Sequence, residues 1–124
     1  MPGTLAHGGE DLGIDYLFDT DCAVLLSTTA VNPDGTGLTE PAGAWYSAQD
    51  ITFGPKSGNN PSTKSNSAEI DYGNADEDVT LVSWVIQRKT GGAYLSVGNF
   101  TPNVNVQNGN PVKIPVGNIV VTLT

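Results

Sequence analysis

Histidine, cysteine and basic charge are nearly missing from this chain. His7 is the one histidine, Cys22 the one cysteine, and the basic residues are Lys56, Lys64, Arg88, Lys89 and Lys113, with none before Lys56. A lone histidine among glycines excludes a histidine-based triad and a multi-histidine metal site. A lone cysteine excludes an intrachain disulfide, and its flanks Ala23-Val24-Leu25-Leu26 mark it as a buried strand thiol. Five scattered basic residues against 13 acidic ones, a net charge of −8, leave no cluster that could neutralise phosphates, so nucleic acid is not expected as a direct ligand. No run of about 18 apolar residues is available for a membrane helix. The start Met1 to Gly9 lacks the basic residues and apolar core of a signal peptide, so the protein is expected to be made in a cytoplasm and to have no membrane partner.

The motifs that could carry chemistry reduce to turns. Gly54-Pro55-Lys56-Ser57-Gly58 is similar to a phosphate loop, but the glycine spacing is wrong and polar coil follows instead of a helix. Asp76-Glu77-Asp78 and the Asn32 to Thr36 loop are acidic, yet neither has the spaced oxygen ligands and closing glutamate of a calcium loop. Asn99-Phe100-Thr101 matches a glycosylation sequon that has no meaning without secretion, and nothing selects a pair of carboxylates for glycosidase chemistry. No catalytic residue, cofactor or metal ligand is therefore expected.

What the sequence does contain is strand grammar. Val79, Leu81, Ser83, Val85 and Gln87 alternate with Thr80, Val82, Trp84, Ile86 and Arg88, a strand apolar on both faces through its middle and so placed inside a sheet, with Trp84 in the core. Thr90-Gly91-Gly92 turns it back into Ala93 to Val97 as a hairpin. Cys22 to Ser27 is a short apolar strand, and the Asn32 to Gly37 stretch is a loop of turn formers. Ala44 to Phe53 resumes strand character, with Gln49, Ile51 and Phe53 on one face. Gly54 to Ser65 is a polar loop. In Ser67 to Tyr72, Ala68, Ile70 and Tyr72 face inward. Val104 and Val106 lead to a second hairpin signal at Asn108-Gly109. Pro111 to Val116, with two prolines, reads as an edge strand, and Ile119 to Leu123 closes the chain in the sheet.

These elements add up to an all-β fold, a single-domain β-sandwich or jelly roll of about eight strands. Residues 14–124 form that domain, and residues 1–13, glycine-rich and poorly patterned, form an extended N-terminal arm. Leu12, Tyr16 and Leu17 could instead mark one short helix, which Gly13 weakens. Trp45-Tyr46 stand at a strand entrance where neighbours point to opposite faces, so one of the two is expected at an interface.

The run Gly43-Ala44-Trp45-Tyr46 before Gln49-Asp50-Ile51-Thr52-Phe53, then Asn66-Ser67-Ala68-Glu69-Ile70, the Val79 to Gln87 strand with Thr90-Gly91-Gly92, and the closing Val116 to Leu123 resemble a family of small tailed-bacteriophage virion proteins. The resemblance covers residues 22–124 and rests on turn and strand grammar. It departs at Ala44-Trp45 and Ser47-Ala48, and the acidic N-terminal third differs from the family's usual start. It implies a non-enzymatic virion protein made in the host cytoplasm. The favoured position is a capsid decoration protein that cements the shell by binding the major capsid protein. Such a protein is expected to be a homotrimer matching local three-fold axes, with Leu5 and His7 of the arm and Trp45 and Tyr46 as contacts. A tail or tail-fibre component is the alternative, and a carbohydrate-binding β-sandwich stacking sugars on Trp45 or Tyr46 is a third reading.

Overall fold

The computed structural model describes residues 6–58 and 61–123, and of residues 7–11 the backbone alone. One helix, α1 (His7–Leu17), precedes eight strands: β1 (Cys22–Ser27), β2 (Gln49–Asp50), β3 (Ser62–Ser65), β4 (Ile70–Asn74), β5 (Val79–Arg88), β6 (Tyr94–Val106), β7 (Pro111–Ile114) and β8 (Val120–Leu123). All pairings are antiparallel. The largest sheet has the order β2-β1-β5-β6, while β3 pairs with β8 and β4 with β7.

The alternation read in the sequence sets what each face of the large sheet buries. Val24 lies across from Ile86 and Leu26 from Trp84, and these side chains share one core with Ile70 and Tyr72 of β4, Val112 and Ile114 of β7, and Val121 of β8. The two short pairs thus close over one face of the large sheet in a sandwich-like arrangement. On the other face Leu25 and Val85 meet Val31, with Leu38 packed beside them. The loop after β1 is a lid on that face, which explains why all six residues of β1 are buried although only one layer of strands covers them. The lid is pinned where Thr28 N–H donates to Thr39 O (2.8 Å), and its tip is a turn in which Asn32 N–H donates to Thr36 O (2.9 Å).

Interior β5 and its hairpin lie where the alternation puts them. Gly91 and Gly92 take φ of 86° and 79° in the turn, conformations open to glycine at little cost. Trp84 is 7% exposed. Its indole lies over Gly98, its partner on β6, and any Cβ at Gly98 would overlap the ring. The glycine supplies room and the tryptophan covers the gap.

Five details differ from the sequence reading. Ala44 to Phe53 contributes only β2 and an isolated bridge from Phe53 to Asn66, because the chain turns at Gly43–Tyr46, where Tyr46 N–H donates to Gly43 O (3.2 Å). The polar segment read as loop contains β3, whose strand character comes from pairing with β8 and not from its composition. Ala68 is exposed, since β4 begins only at Ile70. β6 does not stop at Val97 but runs for 13 residues through Gly98, Asn99 and Pro102, tolerated because it lies at the sheet edge. Asn108-Gly109 is a turn but not a hairpin: β6 on one side pairs with β5 and β7 on the other pairs with β4, so the turn carries the chain between layers.

The N-terminal segment differs from an extended arm and takes the other form the sequence offered, a short helix that includes Leu12, Tyr16 and Leu17. Residues 7–13 belong to α1, and Met1 to Leu5 lie outside the described residues. Gly8, Gly9 and Gly13 are poor helix formers, and Ala6 caps the helix with no side-chain bond. The helix stands on tertiary contacts: Ile14 is fully buried and Phe18, just past its end, is 4% exposed, its ring edge-on to Phe53 at 5.5 Å.

Candidate interaction surfaces

Among the described residues no group of histidine, cysteine, aspartate and glutamate is placed to hold a metal ion. The acidic turns are used by the fold. Asp34 accepts from Thr36 Oγ1 (2.7 Å) and Thr36 N–H (3.0 Å), bonds that in that order hold its carboxyl below the usual range. Asp78 accepts from Asn108 N–H (2.8 Å), and Glu77 from Trp45 Nε1 (3.3 Å). Ser57, in the loop similar to a phosphate site, bridges to Thr63. Cys22 is buried, its Sγ 3.4 Å from Leu17 O, and burial pushes its thiol up, away from the reactive thiolate.

Trp45 and Tyr46 are both half-buried against the main core. They stand in a turn, so the opposite-face rule for strands does not act on them. Trp45 meets Tyr46 edge-on at 5.7 Å, and Tyr46 stacks on Tyr72 at 5.9 Å. The two tyrosine hydroxyls complete the outer edge of β1. Ile51 N–H donates to Cys22 O (3.2 Å) beside the two-residue β2. Farther along, Tyr72 Oη donates to Val24 O (2.8 Å), and Leu26 N–H donates to Tyr46 Oη (3.0 Å), which passes its own proton toward Glu40 Oε1 (2.7 Å). Backbone groups that a further strand would have paired are thereby satisfied by side chains. Burial is the main cause that lifts both hydroxyls well above the ordinary tyrosine range.

Arg88 at the end of β5 fastens α1. Its Nη2 donates to Tyr16 O (2.7 Å) and Leu17 O (3.0 Å), filling carbonyls that the helix end leaves open, and its guanidinium lies 5.3 Å from the Tyr16 ring centroid. Asp19 and Asp21 hold the other side of the guanidinium at 3.4 and 3.7 Å. Asp19 lies below the usual carboxylate range, first through Asp21 N–H and then through Arg88. Lys64 on β3 adds a second fastening to Asp15 at 2.8 Å. Lys89 pairs with Asp50 and Lys113 with Glu69, so these basic side chains serve the fold.

The opposite edge of the large sheet is unlike the β1 side. β6 is outermost, its 13 residues stretch roughly 40 Å, and no described strand pairs with its outer side. From Ala93 to Val112 the chain carries no charge. Tyr94 and Val104 are large and exposed there. Between β6 and β7 lies a cavity of about 80 Å³ lined by Leu26, Leu81, Phe100, Val104, Val112 and Ile114. A more open groove, of about 430 Å³, runs beside Val31, Pro33 and Leu95 to Asn99.

Of the contacts expected from the sequence, Leu5 and the His7 side chain lie outside the described residues, and Trp45 and Tyr46 form one cluster with Tyr72. The β6 edge was missed because Gly98, Asn99 and Pro102 interrupt its pattern. The uncharged run over the same residues was the signal that could have found it. No curated protein matches the chain. The sequence pattern of the family described as podophage GP4 fiber I protein gp80 matches residues 13–122, from within α1 to within β8, and the chain belongs to that family.

Proposed function

We propose that the protein is a non-enzymatic structural subunit of a podophage fibre. The observation that carries this reading is the family match across residues 13–122, to a family described as a fibre protein. The architecture is consistent with it, because the charged and hydroxyl-bearing residues described above spend their bonding capacity on edges, helix ends and turns. The shell-cementing role on a major capsid protein, favoured from the sequence, has no observation of its own, whereas the family description supports the fibre. Particles grown without this protein should keep the DNA-release temperature of complete particles and lose adsorption to host cells. Immunogold labelling should mark projecting fibres. Label spread over the shell, with a lowered release temperature and normal adsorption, would overturn the fibre reading and restore the decoration role.

A further inference from the structure

We infer that the β6 edge is a self-association edge, at which a second copy of this chain adds its own β6 and closes a two-fold dimer. The inference is independent of where in a virion the protein sits.

An unpaired strand edge is a row of free donors and acceptors that a further strand can complete. The large sheet has one long edge of this kind among the described residues, because β2, the strand at its other end, is only two residues long. On the β1 side Ile51, Tyr46 and Tyr72 already occupy the backbone groups, and on the β6 side nothing described does. Charge selects the occupant. Each copy carries −8, and Lys64, Arg88, Lys89 and Lys113 are already paired within the fold. Two copies therefore repel over most of their surfaces, and the stretch from Ala93 to Val112 brings no charge to the contact. A basic partner would be drawn to the acidic surface instead.

Having one long open edge also fixes the symmetry, since the two residues of β2 are too few to seat a partner strand. A ring or an open polymer through this sheet needs two different edges, one on each side of the subunit, whereas a single edge can meet only itself. Like edges meet across a two-fold axis and use up both. That outcome differs from the three-fold association expected from the sequence. Pro102 has no N–H, and the register of β6 against β5 breaks between Leu81 and Ser83 and again between Ile86 and Gln87, so regular pairing falls on Ser96 to Asn99.

The test is sedimentation equilibrium and native mass spectrometry of the whole chain over a concentration series. Asn99→Asp with Thr101→Asp places negative charge on the edge of each copy. The first of these changes keeps a side-chain oxygen for the bond from Ser83 Oγ (2.7 Å). Asn118→Asp with Thr122→Asp adds the same charge elsewhere on the surface. The wild type and the second variant should dimerise, with the edge variant at least about tenfold weaker. Added salt should tighten the wild-type dimer by screening the repulsion between copies. In hydrogen exchange of the wild type, protection of amides in Ser96 to Asn99 should rise with protein concentration, a readout that holds even if the edge variant misfolds. A wild type that stays monomeric, forms trimers or open polymers, or gains no concentration-dependent protection in β6 would overturn the proposal, as would equal weakening by the two variants.

Discussion

Trp84 and Asn66 show how much of this fold depends on single side chains. Trp84 fills the space above Gly98, so truncation removes a large buried surface and leaves a hole that Gly98 has no side chain to fill. Trp84→Ala should cost about 3–5 kcal/mol in denaturant unfolding, and a loss below about 1 kcal/mol would contradict its core placement. Asn66 is 1% exposed and works through hydrogen bonds alone. Its Nδ2 donates to Ala68 O and Pro115 O (each 3.0 Å), and its Oδ1 accepts from Ile119 N–H (3.0 Å). One amide therefore ties the approach to β4 to the segment between β7 and β8, with every polar atom satisfied. The run Asn66 to Ile70 was legible as a motif in the sequence, but its bonding role was not, because the partners at Pro115 and Ile119 lie 49 and 53 positions away.

At the scale of the element, α1 is held from outside itself. It has three glycines, no side-chain N-cap and an exposed face bearing Leu12 and Tyr16. Its place is fixed by Ile14, Phe18, Lys64 and Arg88. Arg88→Ala should destabilise the protein by about 2 kcal/mol, since charge-assisted bonds to the helix carbonyls are lost. Arg88→Lys should recover only part of this, because an ammonium lacks the fork that serves two carbonyls and two carboxylates. Helix amide exchange should accelerate in both variants. If exchange in α1 is unchanged while β5 amides are exposed, the arginine supports the sheet and not the helix.

At the scale of the whole molecule, the buried hydroxyls of Tyr46 and Tyr72 link stability to alkaline pH. Both groups ionise at higher pH in the folded protein than in the unfolded chain, where the ordinary value is 10.0. Their contribution is complete below that ordinary value and is lost as pH rises above it toward the folded values, because the unfolded chain releases its protons first. Unfolding free energy measured from about pH 9 to pH 11 should fall. The fall should be shallower in the double variant Tyr46→Phe with Tyr72→Phe, which starts lower because Val24 O and Leu26 N lose their partners. An equally steep fall in the double variant would assign the effect to other groups.

The sequence by itself determined the all-β class, β1 and β5 with their buried faces, the Gly91-Gly92 hairpin and the inward Trp84, because these depend on period-two alternation and local turn chemistry. The inward Ile70 and Tyr72 and the closing strand were legible in the same way, and tertiary structure decided what alternation could not. β3 is a strand because β8 lies beside it, α1 is a helix because β3 and β5 supply its missing contacts, and Asn108-Gly109 joins layers because β4 takes β7 as its partner. It also decided which sheet edge stays open. Tyr46 and Tyr72 close one side through bonds that span 20 and 48 positions, and nothing local to Trp45-Tyr46 records that their neighbour in space is β1. Edge satisfaction is a property of the assembled backbone, whose donors and acceptors have no fixed partners until the strands are in place.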